Sequence, residues 1–339
     1  MISFLRNLEI SSSSFWLGFL SGVLFAWIFS RVWIYLPKVV HAFRKKMGGM
    51  RESFSLSTEI RLRNDIYRFA QKQHLASALF SLDEIAIVPK VLTPLIQAPQ
   101  SIESAPTDSV SLAIPYIPDW PEMAAVYNAS TMTLVEALQG GANIVLAGHP
   151  GSGKTVALAW LASAIARNVP GLGMINDLLP LYVHATDILH LLHHLEEDLA
   201  HTDDNDKGKT LAVKQDPISK VHISDDPIDV MIRAISNYSS PVTTTRLPGI
   251  IRSALEKQRT IVLIDRVDEL PPHQANAITA YIVSLQQKYP QLRFVVAASF
   301  DNLAGLPAIG FSLLGMAAWN DRDRASFLSR WSRLWAKLI

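Results

Sequence analysis

Residues 143–161 read NIVLAGHPGSGKTVALAWL and contain three patterns in succession. Residues 143–147 are a short apolar run of the kind that forms a buried strand. A glycine-rich loop follows at 148–155, and a stretch of helix-forming residues comes directly after it. The order of strand, glycine-rich turn and helix predicts one unit of a parallel α/β sheet.

The glycine-rich loop matches the pattern G-x-x-x-x-G-K-[ST] in full. It consists of Gly148, His149, Pro150, Gly151, Ser152, Gly153, Lys154 and Thr155. Its glycines let successive backbone N–H groups turn toward phosphate oxygens, and the helix behind it directs its positive end to the same place. Lys154 is expected to reach the β- and γ-phosphates, and the Thr155 hydroxyl to bind Mg²⁺. The loop therefore predicts a site for ATP with Mg²⁺; the alternative is a glycine-rich turn without a ligand.

A second acidic motif lies downstream, where residues 261–270 read IVLIDRVDEL. The four apolar residues predict a buried strand that ends at Asp265, and ligands of open α/β sheets bind at the carboxyl ends of strands. Asp265 is therefore predicted to hold Mg²⁺, directly or through water. Asp268 and Glu269 follow closely enough to polarise an attacking water, so we take both as candidate catalytic residues together with Lys154.

The remaining pattern predicts how the chain is organised. From residue 123 onward helical and strand signals alternate, which indicates an α/β fold with a largely parallel sheet flanked by helices. Predicted strands are 143–147, 181–184, 260–264 and 293–298, and predicted helices are 154–168, 227–238, 248–257 and 273–288. The polar segment 201–226 is expected to be a solvated loop. We assign a helical region to 37–93, a proline-rich linker to 94–122, the P-loop domain to 123–317 and the start of a helical region to 318–339.

The amino-terminal part contains the apolar run FWLGFLSGVLFAWIFSRVWIYL at residues 15–36, with Arg31 as its only charge. At about 1.5 Å per residue, a helix of this length can cross a hydrocarbon core of roughly 30 Å. A buried core helix would show a polar face, and a cleaved signal peptide would have a shorter apolar region. We therefore expect a single transmembrane helix in the cell membrane.

The charges beside this run predict its orientation. Arg6 is the only basic residue before it, whereas five basic residues lie between positions 38 and 51. Since basic flanks stay on the cytoplasmic side, residues 1–14 are expected outside the cell and the P-loop domain in the cytoplasm.

Composition excludes several other classes of protein. The formal net charge of the 339 residues is +1, which argues against a nucleic-acid partner because such domains usually present a basic surface. The chain has no cysteine, so disulfides, thiolate metal sites and thiol nucleophiles are excluded. Hydrophobic residues amount to 49% and charged residues to 18%, in keeping with a membrane segment.

The two motifs together resemble the NACHT family of signal-transduction ATPases, within the wider STAND class. The likeness lies in the spacing of Asp265, Asp268 and Glu269 after an apolar strand. Residues 179–183 (LPLYV) and 246–255 (RLPGIIRSAL) are also similar to segments of that family, and the resemblance spans about 140–335. It implies a switch ATPase that exchanges ADP for ATP and associates with copies of itself through the NTPase domain.

Two departures from the family pattern bear on the rate of hydrolysis. Arg266 stands where the family usually has a small residue, and Phe300 stands where it often has a sensor arginine, which leaves Ser299 to sense the γ-phosphate. We therefore expect slow hydrolysis. One alternative is a membrane scaffold that binds nucleotide without significant hydrolysis. A transport ATPase is disfavoured, because one span cannot form a translocation path.

Overall fold

The computed structural model describes residues 16, 19–22, 27, 57–92, 130–193 and 226–337. The chain divides into two compact units, Met1–Ser57 and Thr58–Ile339. In the first unit, residues 16, 19–22 and 27 are helical, and the rest of the predicted span 15–36 lies outside the described residues. None of the described helices is long and apolar enough to cross a membrane. The predicted linker 94–122 and nearly all of the predicted loop 201–226 also fall outside the description.

The described residues of the second unit form both helices and strands. Its helices are α1 (57–70, which begins at the unit boundary), α2 (Leu82–Ile85), α3 (Leu134–Leu138), α4 (Lys154–Ala166), α5 (185–193), α6 (Ile228–Ser236), α7 (Pro241–Thr244), α8 (Leu247–Glu256), α9 (Pro272–Lys288) and α10 (Asp321–Trp335). Its strands are β1 (Lys90–Leu92), β2 (Thr131–Thr133), β3 (Ile144–Ala147), β4 (Leu179–His184), β5 (Thr260–Asp265), β6 (Arg293–Ala298) and β7 (Ser312–Gly315).

Five of the strands form one sheet in the order β4-β5-β6-β3-β7, and every pair in it is parallel. The prediction of an α/β fold with a largely parallel sheet flanked by helices is confirmed. All residues of β3, β4 and β5 are buried, which explains their continuous apolar sequences, since helices cover both faces of a parallel sheet. Pro180 is tolerated in β4 because this strand lies at the edge of the described sheet.

Strand order fixes where a ligand can bind. Helix α4 leads from β3 to β4, three places away in the sheet, whereas the connection after β6 passes β3 to reach β7 on its other side. The chain therefore changes direction at β3, and crevices of open α/β sheets form outside the carboxyl ends of strands at such a point. The loop 148–155 leaves β3 at this edge, and Asp265 ends β5 at the same edge.

The first part of the second unit shares its hydrophobic core with the sheet. Residues 58–92, part of the helical region predicted at 37–93, belong to the same compact unit as β3–β7. Strand β1 pairs with β2 in a small antiparallel sheet, and Val91 forms a bridge with Met316 just after β7. On α1, Leu62 and Ile66 are fully buried in the hydrophobic core.

Candidate functional site

The loop 148–155 is a tight turn held to the sheet. The Gly148 N–H donates to the Ala298 carbonyl at the end of β6 over 3.3 Å. Gly151 and Gly153 have φ angles of 83° and 91°, in the left-handed region that favours glycine. Gly153 is the N-cap of α4, so the first N–H groups of a 13-residue helix face the hollow of the loop. This geometry suits an anion.

Gly148 is required for a different reason, namely space. A Cβ atom at this position would collide with Ser152 Oγ and lie 3.4 Å from Met316 Cβ. The turn closes through a second backbone contact, in which Ser152 N–H donates to the His149 carbonyl over 3.1 Å. The close packing of backbone and side chains within the loop therefore excludes even alanine at position 148 without a local shift.

The Lys154 ammonium lies inside the loop and has three acceptors. It donates to the Gly148 carbonyl over 2.8 Å and to the His149 carbonyl over 3.1 Å. It also forms an ion pair of 3.0 Å with Asp268 Oδ2, and the exposed fractions of the two side chains are 5% and 15%. A phosphate that binds Lys154 would have to compete with these acceptors, of which Asp268 carries a full negative charge.

Asp265 and Thr155 are brought together from positions 110 residues apart. The Thr155 hydroxyl donates to Asp265 Oδ1 over 3.2 Å, and the Tyr182 hydroxyl donates to Oδ2 over 3.2 Å. Asp265 is 1% exposed at the end of β5. A hydroxyl and a carboxylate oxygen thus lie side by side next to the loop, which is the pair that the sequence predicts for Mg²⁺.

The surroundings of Asp265 are mostly apolar or neutral. Burial raises the pKa of its carboxyl, against the opposing effects of the Thr155, Arg266 and Tyr182 donors. Burial, with the nearby Arg266 charge, also lowers the pKa of His184 to about 4. His184 is therefore neutral near pH 7, and its Nδ1, 3.8 Å from Asp265 Oδ2, does not supply a compensating positive charge. A divalent cation would stabilise the ionised carboxylate here.

The chemistry of the donors fits Mg²⁺ with phosphate better than a protein-only metal site. Within the described ranges, no group of three or more His, Cys, Asp and Glu side chains could hold a metal ion. Mg²⁺ is commonly bound through one or two carboxylates plus phosphate oxygens and waters. Thr155 and Asp265 would hold such an ion, and it would supply charge neutralisation between the phosphates.

The two acidic residues after Asp265 have different surroundings. Arg266 has a φ of 65° and starts a short 3₁₀ turn over Val267–Glu269. This turn directs Asp268 to Lys154, whereas Glu269 is exposed and its Oε1 lies 4.0 Å from Arg266 Nε. Within the described part of the chain, no hydrogen bond or ion pair joins Glu269 to the loop. The structure thus brings Asp268, and not Glu269, into contact with the phosphate loop.

The end of β6 carries no cation toward the loop. Ser299 is buried, and its Oγ accepts from the Asp301 N–H over 3.3 Å. The ring of Phe300 lies 5.8 Å from the ring of His149, centroid to centroid. An aromatic side chain, and not an arginine, therefore lies beside His149 of the loop.

A pocket lies beside the loop and was not predicted from the sequence. Its volume is about 530 Å³, and it is lined by His74, Leu82, Ile85, Ala86, Ile87, Pro89, Lys90, the loop residues 149–153, Val156, Ala157, Met316, Ala317, Ala318, Trp319 and Phe327. Lys90 Nζ binds both carboxylate oxygens of Asp323 at 3.0 Å, which ties β1 to the start of α10. This size suits a nucleoside-sized ligand, and the lining is largely apolar. The pocket could not be predicted from the sequence, because its walls come from three distant segments, 74–90, 149–157 and 316–327.

The remaining residues of the loop line the pocket beside it. His149 and Pro150 face this pocket, together with Gly151, Ser152 and Gly153, while Lys154 and Thr155 begin α4.

Comparison with known proteins gives no match: neither a protein-family model nor a curated protein matches the chain.

Proposed function

We propose that this chain binds ATP with Mg²⁺ through the loop 148–155 and hydrolyses it slowly, as a conformational switch. The proposal rests on one observation: the loop with the N-terminus of α4, Lys154, and the pair Thr155 and Asp265 lie close together at one edge of the sheet. The loop precedes the N-terminus of α4, Lys154 is directed into the loop, and the Thr155 hydroxyl contacts the Asp265 carboxylate at 3.2 Å. These parts were predicted separately from two motifs more than 100 residues apart.

Each residue has a physical task in the proposal. The N–H groups of residues 151–155 would donate to phosphate oxygens, with the positive end of α4 behind them. Lys154 would exchange its protein acceptors for the β- and γ-phosphates. Thr155 and Asp265 would hold Mg²⁺, and the neighbouring 530 Å³ pocket would take the nucleoside.

The NACHT-like switch is part of the proposal and rests on the spacing of Asp265, Asp268 and Glu269. Two observations favour slow hydrolysis. Phe300 lies against the loop residue His149, so β6 supplies no arginine there, and Glu269 lies beside Arg266.

Self-association through the NTPase domain belongs to the same proposal. Size-exclusion chromatography with ATP or ADP tests it, and equal elution volumes with both nucleotides would reject a nucleotide-driven assembly.

The second candidate is a scaffold whose nucleotide is bound but not hydrolysed. It is favoured by the Lys154–Asp268 ion pair, which engages the residue that would otherwise contact the γ-phosphate, and by the exposed position of Glu269. Turnover separates the two candidates. A switch releases phosphate at a low but measurable rate, and a scaffold does not.

We expect the full chain to release phosphate from saturating ATP and Mg²⁺ well below the roughly 1–10³ s⁻¹ of common metabolic enzymes. Glu269→Gln should reduce that rate at least about 10-fold without weakening ATP binding, since a water-orienting base acts only in the chemical step. Asp268→Asn should instead tighten ATP binding a few-fold, because it removes the charged competitor for Lys154.

Glu256→Gln, on the far end of α8, is the matched control for Glu269→Gln. Brisk turnover by the parent would contradict the slow switch, and no release over many hours would favour the scaffold. If Asp268→Asn abolished hydrolysis while Glu269→Gln had no effect, the roles of the two acids would be reversed.

We also propose that residues 15–36 anchor the protein in the cell membrane, with residues 1–14 outside and Thr58–Ile339 in the cytoplasm. The proposal rests on the apolar run and on the basic residues that follow it. Protease added to intact cells should leave a tag after Ile339 untouched. Digestion of the tag, or recovery of the protein without membranes, would reject the anchor or its orientation.

A further inference from the structure

The carboxylate of Asp265 is oriented by hydrogen bonds at both of its oxygens. Thr155 donates to Oδ1 and Tyr182 donates to Oδ2, each over 3.2 Å. Thr155 is one of the residues that the phosphate-loop pattern itself predicts, but Tyr182 belongs to neither motif. A carboxylate that must present one oxygen to a cation needs its second oxygen fixed, because rotation about its last bond would otherwise move both.

The backbone and the ring of Tyr182 are held in place by several contacts. Tyr182 is fully buried in β4, two residues before His184, which lies opposite Asp265 in the register of β4 and β5. Its carbonyl accepts from the Tyr238 hydroxyl over 2.9 Å. Its ring lies 5.6 Å from the ring of Phe69 on α1, and Phe69 stacks on Tyr238 with ring centroids 4.0 Å apart.

From this geometry we infer that Tyr182 is a positioning residue for Mg²⁺, acting through Asp265 and supported by the aromatic pair Phe69 and Tyr238. The inference rests on the proposed function, since it requires Asp265 to hold the ion. The hydroxyl of Tyr182 keeps Oδ2 in place, so that Oδ1 faces Thr155 and the loop. Helix α1 thereby contributes to the metal site through the packing of Phe69 against Tyr182.

A purely structural role for Tyr182 would satisfy the same contacts, because buried hydroxyl groups generally have a partner. The two roles differ in what the loss of the hydroxyl changes. Tyr182→Phe keeps the ring and its packing and removes only the donor to Asp265. Outer-shell partners of metal ligands typically alter metal affinity about 10–100-fold, whereas a structural hydroxyl would alter stability alone.

The test measures ATP binding by the full chain at increasing Mg²⁺ concentrations. Tyr182→Phe should raise the Mg²⁺ concentration at the midpoint about 10-fold, and ATP binding in EDTA should stay unchanged. Tyr281→Phe is the matched control: Tyr281 is 1% exposed, and its hydroxyl donates to the Pro227 carbonyl over 2.8 Å, away from the loop. This control should leave the Mg²⁺ midpoint where the parent has it.

A double-mutant cycle shows whether Tyr182 acts through Asp265. In an Asp265→Asn background, Tyr182→Phe should cause no further shift, since the group that it orients is gone. If Tyr182→Phe does not fold, Phe69→Leu takes its place: it loosens the ring packing without touching a ligand, and a raised Mg²⁺ midpoint supports the inference, while an unchanged one overturns it.

The outcomes separate this inference from the proposed function. Equal midpoints for Tyr182→Phe and Tyr281→Phe, in a protein whose parent binds ATP with Mg²⁺, overturn the role of Tyr182 and leave the site intact. A parent chain that binds no ATP overturns both.

Discussion

Replacing Lys154 by alanine should lower the affinity for ATP about 100-fold or more, since truncating one partner of a buried charge pair costs roughly 2–5 kcal/mol. The Lys154 ammonium is a charged group directed into the hollow of the loop 148–155, whereas the backbone N–H groups and the hydroxyls of Ser152 and Thr155 are uncharged donors. Its removal also leaves Asp268, 15% exposed, as a negative charge beside the phosphates. Both effects act in the same direction. Calorimetric titration of the parent and the variant with ATP and Mg²⁺ measures the difference.

A matched lysine provides the control for this variant. Lys257 is exposed just after α8, so Lys257→Ala removes the same charge from the surface and should leave ATP affinity unchanged. Circular dichroism and the urea midpoint of Lys154→Ala establish that the fold is retained. If a folded Lys154→Ala bound ATP as tightly as the parent, the loop would not be the phosphate site.

The second large effect concerns Asp265. Asp265→Asn should remove most of the Mg²⁺ dependence of ATP binding, and the loss should reach at least the roughly 10–100-fold seen for outer-shell partners of metals. Thr155 and Tyr182 both donate to the carboxylate, so an amide must turn its own donor toward one of them. The variant thus loses a charge and misaligns the remaining oxygen. ATP binding in EDTA should change little, because no metal is then involved.

Stability distinguishes this loss from unfolding. Burial raises the pKa of the Asp265 carboxyl, which means that the ionised form is less favoured in the folded chain than in the unfolded one. The carboxyl therefore costs free energy of folding as the pH rises from its unfolded pKa through its raised folded pKa, and a neutral asparagine avoids this cost. We expect an unfolding midpoint equal to or above that of the parent at pH 7. Asp229→Asn, at an exposed ion pair with Arg252, is the control for the substitution itself.

Local patterns allowed much of the fold to be predicted. The strand, loop and helix of residues 143–161 are contiguous, and each has its own signal: an apolar run, glycines before a lysine, and helix-forming residues. Strand β6 was predicted with its observed bounds, and β5 differs only by the inclusion of Asp265. Strand β7 was missed, because Ser312–Gly315 is four residues long and has neither a continuous apolar run nor clear alternation.

Contacts between distant segments could not be predicted in the same way. The ion pair of Lys154 with Asp268 depends on the left-handed backbone conformation of Arg266. This conformation is uncommon for a residue other than glycine, and the sequence pattern does not predict it. The hydrogen bond from Tyr182 to Asp265 joins residues 83 positions apart and depends on the register of β4 and β5. In both cases the sequence identifies the chemical groups, but the contacts between them depend on how the sheet and its loops position these residues.

The central claim is that the loop 148–155 and Asp265 form one site for ATP and Mg²⁺. Its most direct test is calorimetric titration of the folded full chain with ATP, once with Mg²⁺ and once with EDTA. We expect saturable binding of ATP at one site per chain, with a higher affinity in Mg²⁺ than in EDTA. A folded chain that shows no saturable binding of ATP under either condition would contradict it.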